Sequence, residues 1–212
     1  MNLALIVASR LLLVAVISYF LGCFNGAVIV SKYILRDDVR THGSGNAGLT
    51  NFYRTFGGPL TAVVILTDVL KAVAAVLISL WLLGLPLSWP AMSKYWAGVF
   101  CLLGHMFPVM FKFKGGKGIL SGGTIAWMID WRVALVVWGG FLILAVATKY
   151  VSLGSCWAGV SFPFVSWFVY HNFLILLLSI ICGGLILYQH RGNIKRLLNG
   201  TESKFHFHKK TE

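Results

Sequence analysis

The chain reads as an all-helical protein that crosses a membrane several times, and three observations carry that reading. Apolar residues fill 58% of its 212 positions and charged residues only 11%, far from the balance of a water-soluble domain. Apolar runs near the ~20 residues that a helix needs to cross a hydrocarbon core recur along the whole chain. The 18 Lys and Arg greatly outnumber the 6 Asp and Glu, and they gather in the segments between runs.

Taken in order, long runs lie at about 11–30, 58–83 and 151–170, and shorter ones at about 95–111, 118–129, 133–148 and 173–189. Seven crossings are the natural count. The run 118–129 is the weak member, because twelve residues at ~1.5 Å each reach only ~18 Å of a ~30 Å core. Tilt, extension at its ends or partial re-entry is expected there. The amino terminus has no positive charge ahead of its apolar stretch, so a retained first helix is expected and not a cleaved signal.

Charge settles the orientation. With seven crossings, one side receives Lys32, Arg36, Arg40, Arg54, Lys112, Lys114, Lys117, Lys149, Arg191, Lys195, Arg196, Lys204, Lys209 and Lys210, and the other only Lys94 and Arg132. This bias puts the amino terminus outside and the carboxy terminus in the cytoplasm. The expectation is a single membrane-embedded domain over 1–212, with cytoplasmic loops 31–57 and 112–118 and tail 190–212. The net charge of +12 is then loop charge facing anionic lipid, and no nucleic-acid partner is implied. The four cysteines lie far apart inside apolar runs, so neither a disulfide framework nor a metal site is implied.

On this topology every polar, glycine-rich or basic cluster falls on one face, where the clusters can meet. The first is T-H-G-S-G-N-A-G-L-T-N-F-Y-R at 41–54, with Gly43, Gly45 and Gly48, donors on Ser44, Asn46, Thr50 and Asn51, Arg40 and Arg54 at its borders, and no carboxylate. Close glycines let consecutive N–H groups turn toward one point, a nest for phosphate oxygens, and Arg adds a charged contact. The literal G-x-G-x-x-G is not a dinucleotide fingerprint, because a membrane-length run and no strand precedes it. The plain alternative is a flexible loop joining two helices.

The second cluster, 112–118, places Gly115, Gly116 and Gly118 at a helix start with Lys117 among them, an arrangement that favours an anion without Walker A spacing. Farther on come the Tyr150-Val151-Ser152 corner and the end of the last run, where His190 and Asn193 share a helix face. His105 reads as a structural hydrogen-bonder. Asp68 and Lys71, spaced i, i+3 inside a run, read as a pair pinning neighbouring structure. Gly22 with Gly26, and Gly118 with Gly122, read as close helix contacts. Asn25 is given no role. No catalytic acid–base dyad is visible, so a base would be His190, His105 or a group that the substrate brings.

In one order these clusters read D-V-R-T-H-G-S-G-N-A-G-L-T-N-F-Y-R, D-V-L-K, G-H-M-F-P with F-K-G-G-K-G, K-Y-V-S-L and H-R-G-N-I-K-R-L-L-N-G-T-E-S-K, from 38 to 204. Together they resemble the bacterial acyl-phosphate-dependent glycerol-3-phosphate acyltransferases, the PlsY family. The resemblance implies a multi-pass enzyme of the bacterial plasma membrane with its active site facing the cytoplasm. It would move the acyl group of acyl phosphate to the sn-1 hydroxyl of glycerol 3-phosphate, giving lysophosphatidic acid and phosphate for phospholipid synthesis. It implies Gly43, Ser44, Gly45, Asn46, Gly48 and Thr50 at the acyl phosphate, Arg54, Lys117, Ser152, His190 and Asn193 at the glycerol phosphate, and Gly115, Gly116 and Gly118 as support. The donor's own phosphate would serve as base, with His190 as fallback. No metal or cofactor is implied, the partners are the two substrates and membrane lipid, and a monomer is compatible.

Two departures stand out. Ile119-Leu120-Ser121 follows F-K-G-G-K-G where the family continues V-A-T, so Ser121 is a candidate replacement for a threonine contact. Gly192 stands where the family usually has Glu, which is expected to leave Asn193 less firmly placed. A carrier or channel for phosphorylated anions is the alternative reading of the same basic loops.

Overall fold

The computed structural model describes residues 2–205. Lys209 and Lys210, counted above in the tail, lie outside the described residues. Those residues form ten α-helices: α1 (Leu3–Cys23), α2 (Gly26–Ile29), α3 (Leu49–Thr55), α4 (Leu60–Ser79), α5 (Pro90–Met106), α6 (Ile119–Ile129), α7 (Trp131–Thr148), α8 (Val151–Tyr170), α9 (Phe173–Gln189) and α10 (Arg191–Leu198).

The first helix starts earlier than the apolar run suggested and ends sooner. Asn2 caps it by accepting from the Ala4 N–H at 3.1 Å, and Arg10 sits within it. It stops at Cys23 because Asn25 starts a new short helix, accepting from the Val28 N–H at 3.1 Å. A π-helical turn, Leu80–Gly84, extends α4. The chain 24–58 is therefore a folded cap of short helices and turns and not one open loop.

The helix α5 is central, packing on α1, α4, α6 and α9, while α7, α8 and α9 pack one after another. Its core contacts include Tyr95, Leu102 and Met106 against Ile125, Phe162 and Ile186. Small residues set the closest approaches. A Cβ at Gly104 would lie 2.0 Å from the Tyr19 carbonyl oxygen, and one at Gly22 would lie 2.1 Å from that of Cys101. Only hydrogen fits there, so α1 and α5 touch backbone to backbone. The Gly22–Gly26 pair serves two neighbours, since Gly26 faces Val64 and Thr67 of α4.

The weak run is a short helix for a structural reason. Gly118, which caps α6, already sits at the level of Leu102 and Met106, so the preceding loop dips into the bundle. At the other end Ile129 O accepts from Lys94 Nζ and Tyr170 Oη, each at 3.3 Å, level with the far ends of α5 and α8. Asp130 then ends α6 and caps α7, accepting from the Arg132 N–H at 2.8 Å.

Among the described residues, four helical segments are long and apolar enough to cross a membrane: Leu3–Cys23, Leu60–Gly84, Trp131–Thr148 and Val151–Tyr170. A fifth arises if α9 and α10, bent by 60° at His190, count as one span. At 17 and 11 residues, α5 and α6 fall short of that measure. With its apolar flanks turned outward, the chain is a multi-pass membrane protein.

Candidate active site

Both glycine-rich segments, the start of α8 and the α9–α10 break meet at one end of the bundle, around a cleft of about 890 Å³. Gly43, Ser44, Asn46, Gly48 and Thr50 line it, with Arg54, Lys117, Gly118, Ser152, His190 and Asn193.

The first loop is held by Asn51. Its Oδ1 accepts from the Ser44 N–H at 3.0 Å, and its Nδ2 lies within 3.0–3.1 Å of the carbonyls of Val39, His42 and Asn46. Gly43 and Gly45 take φ of +55° and +68°, which a side chain would resist. Gly45 is not among the residues that line the cleft, and its N–H closes the turn by donating to His42 O at 2.9 Å. Asn25 ties this loop to the bundle by donating to Ala47 O at 3.0 Å.

Arg40 does not face the cleft. Its guanidinium pairs with Asp38 at 2.7 Å and donates to the carbonyls of Phe111 and Lys114, clamping the first loop to the second. Arg54 is the basic group that reaches the site, donating to Ser203 Oγ at 3.2 Å.

In the second loop Gly115 and Gly116 spend their N–H groups on Met106 O and His105 O, each at 3.1 Å. Neither lines the cleft, so their support is to let the loop lie on the end of α5. A Cβ at Gly115 would stand 2.0 Å from His105 O. Lys117 reaches across to donate to Asn193 Oδ1. Burial pushes its ammonium down to about 8, against the opposing pull of Glu202. Gly118, at φ +76°, opens α6 with no side-chain cap, leaving first-turn N–H groups free of a capping side chain. Ser121 does not stand in the cleft. It donates to the Asp68 carbonyl at 3.1 Å, so it replaces no ligand contact there.

At the third wall the His190 Nδ1 lies 2.8 Å from Ile186 O, and a carbonyl only accepts, so the proton is on Nδ1. Burial pushes the ring down to about 4. His190 is thus neutral with a bare Nε2, suited to accepting from a hydroxyl and poorly suited to being a strong base.

Glu202, which the sequence did not single out, lies at the centre of this wall. It accepts from Ser152 Oγ at 2.7 Å, Asn193 Nδ2 at 2.6 Å and Arg196 Nε at 2.7 Å. Burial pushes its carboxyl up, but these three hydrogen bonds outweigh that and hold it below the usual range. Asn193 is therefore firmly placed although residue 192 is Gly, contrary to expectation. The segment carrying Glu202 is itself pinned, with the Phe205 N–H donating to Lys149 O at 2.8 Å.

The profile of the glycerol-3-phosphate acyltransferases matches residues 12–200. The chain belongs to the glycerol-3-phosphate acyltransferase family. Relatives of that name from Thermoanaerobacter pseudethanolicus and Bacillus subtilis are 42% and 35% identical over 192 residues each. Each alignment takes in 91% of this chain, and 94% and 96% of the respective relative. Crystal structures of PlsY, an integral membrane glycerol 3-phosphate acyltransferase, superpose closely. The glycerol 3-phosphate form gives a TM-score of 0.83 at 32% identity, covering 92% of this chain and 96% of that one. The lysophosphatidic acid form gives 0.79 at 32% identity, covering 93% and 96%. The family resemblance read from the motifs is thereby established, and the chain is a membrane acyltransferase.

Of the residues lining the cleft, the sequence reading passed over Arg196 and Glu202. Asn51, named there as a donor to an anion, is instead spent on the loop's own backbone, and Asn25, given no role, holds that loop from behind. Arg196 and Glu202 stood inside a quoted motif as charges, with no signal that they would fold back onto Asn193. Asp68 and His105, read as structural, also line the cleft.

Proposed function

We propose that this acyltransferase moves a fatty acyl group from acyl phosphate to the sn-1 hydroxyl of glycerol 3-phosphate, releasing phosphate and leaving lysophosphatidic acid. It acts as one membrane-embedded domain over residues 1–212, a seven-helix protein of the bacterial plasma membrane with its cleft toward the cytoplasm. The observation that carries the reading is a single cleft in which a glycine loop with hydroxyl and amide donors faces two cations, Arg54 and Lys117. Two phosphate-bearing substrates need such a pair of ends.

The loop of Gly43, Ser44, Gly45, Asn46, Gly48 and Thr50 is read as the acyl-phosphate end, and Arg54, Lys117, Ser152, His190 and Asn193 as the glycerol-phosphate end. Gly115, Gly116 and Gly118 shape the second loop behind them. Solved relatives in glycerol 3-phosphate and lysophosphatidic acid forms favour the same acceptor and product here. Ile119, Trp138 and Phe141 line both the cleft and an apolar recess walled by α6, α7, α8 and α9 with Leu102 of α5, a direction for the acyl chain to take. The seventh crossing is favoured by α6 ending level with Lys94 and Tyr170, opposite the cleft. With the amino terminus outside, the basic loops then share the cytoplasmic face.

Acyl phosphate is already activated, so the protein need not supply a nucleophile. A neutral His190 whose lone pair receives a hydroxyl orients the acceptor, and the donor's phosphate takes the proton. The rate then comes from holding two anions in reacting geometry and from stabilising charge. A carrier is disfavoured because the deepest charged groups, Asp68 and Lys71, are committed to each other at 2.6 Å. The test is phosphate release from acyl phosphate by purified protein in detergent, with and without glycerol 3-phosphate. Release that depends on the acceptor is expected, and none at all would be the behaviour of a carrier.

A further inference from the structure

At the floor of the cleft, one ring nitrogen of His105 is accounted for and the other is not. Nδ1 lies 2.7 Å from Lys71 Nζ. The same ammonium reaches Asp68 Oδ1 at 2.6 Å and Phe24 O at 2.9 Å. An ammonium has three protons and no lone pair, so all three partners accept from it. His105 Nδ1 is therefore the bare nitrogen of a neutral ring, and the ring proton sits on Nε2.

That N–H has no hydrogen-bond partner among the described residues, although the side chain is only 3% exposed. It belongs to the lining of the cleft. The Nε2 edge lies between the two glycine loops: a Cβ at Gly116 would stand 2.2 Å from Nε2 and 2.8 Å from Ala47 O. A Cβ at Gly118, the uncapped start of the eleven-residue α6, would stand 3.8 Å from His105 Cδ2. The N–H of this buried ring, which opens on the cleft and has no acceptor among the described residues, thus faces the same space as a helix N-terminus, and Asp68 nearby is held by Lys71. An oxygen of a ligand entering the cleft would complete this N–H.

We infer that His105 is a further binding residue of the cleft, its Nε2–H donating to an oxygen of the acyl phosphate, and that Lys71 is the positioning residue that keeps the proton on Nε2. The donor end is favoured over the acceptor end because Ala47, beside the ring, belongs to the first loop. The inference rests on the acyl-phosphate reading above. If the oxygen is the reacting carbonyl's, the contact strengthens as charge develops and acts on kcat. If it is a phosphate oxygen, it acts on KM for the donor. In neither case does His105 accept a proton.

Nitrogen NMR of histidine-labelled protein, with the His105 signals assigned by their loss in His105→Gln, reads the tautomer without turnover. A protonated Nε2 and a bare Nδ1 are expected, with the preference lost in Lys71→Met. A protonated Nδ1, or an imidazolium, would overturn the inference. In kinetics, His105→Leu is expected to lower kcat by ~100-fold, or to raise KM for acyl phosphate by ~10-fold, with KM for glycerol 3-phosphate unchanged. His105→Gln, which restores an N–H near the same point, is expected to recover most of the loss. Full activity in His105→Leu, a loss confined to KM for glycerol 3-phosphate, or a folded His105→Gln as impaired as His105→Leu would overturn it. Should wild type not use acyl phosphate at all, the functional reading falls, and the NMR result still decides the tautomer.

Discussion

Glu202 accepts a hydrogen bond from Asn193 at 2.6 Å, and so joins the strand of chain after α10 to the wall of the cleft. Through Asn193 the contact extends to Lys117, and through the other lone pairs of the carboxylate to Ser152 and Arg196. Four groups from three parts of the chain are thereby fixed by one side chain.

Glu202→Ala is expected to release Asn193 and Ser152 together and to raise KM for glycerol 3-phosphate by ~10-fold or more, the loss of charge-assisted hydrogen bonds. Glu202→Gln keeps the oxygen that Ser152 and Asn193 use and is expected to fall between. Steady-state kinetics decide it, and a KM unchanged in Glu202→Ala would show the network to be idle.

Lys117→Ala and Arg54→Ala each remove one cation from the acceptor end. Each is expected to cost ~1.5–3 kcal/mol of glycerol-phosphate binding, read as KM for that substrate, with KM for acyl phosphate changing less. Ser44→Ala is expected to show the reverse pattern.

The Lys117 ammonium, pushed by burial to about 8, is charged below that value and loses its proton above it. KM for glycerol 3-phosphate is therefore expected to rise with alkalinity from about pH 7 to about pH 9, and to do so less in Lys117→Arg, whose charge persists. Glu202, held below the usual carboxylate range, stays ionised throughout and adds no inflection there. A wild-type KM that is flat across this window would contradict the assignment.

Gly104→Ala puts a methyl group 2.0 Å from the Tyr19 carbonyl oxygen, between two backbones that have no rotamer with which to yield. It is expected to cost ~3 kcal/mol of stability, seen as lost yield and lower thermal midpoint in detergent. Gly139→Ala, with nothing within 4 Å of the added carbon, is the control and is expected to be neutral or slightly stabilising.

Much of this was legible because membrane helices and glycine loops write themselves locally. Runs of apolar residues gave α4 with its π-helical turn, α6, α7, α8 and α9 to within about two positions, while α1 and α5 begin and end earlier than their runs. Gly43, Ser44, Lys117 and His190 declared themselves by type and spacing. What was not legible depended on contacts across the chain. Nothing around Asn25 or Asn51 tells that these amides hold Ala47 and the turn at 42–46, since each partner is a backbone carbonyl or N–H anonymous in sequence. Arg40 and Arg54 look alike as loop cations, yet one is spent on Asp38 and Phe111 and the other reaches the cleft. Glu202 was invisible for a similar reason: its partners Ser152 and Asn193 come from the starts of two different helices.

The most direct test of the central claim is donor choice. Purified protein would be given labelled glycerol 3-phosphate with acyl phosphate, acyl-CoA or acyl carrier protein in turn, and the lysophosphatidic acid formed would be measured against phosphate released. Product from acyl phosphate alone, one phosphate per acyl transfer, is the predicted result. Product from acyl-CoA or acyl carrier protein but none from acyl phosphate would contradict it.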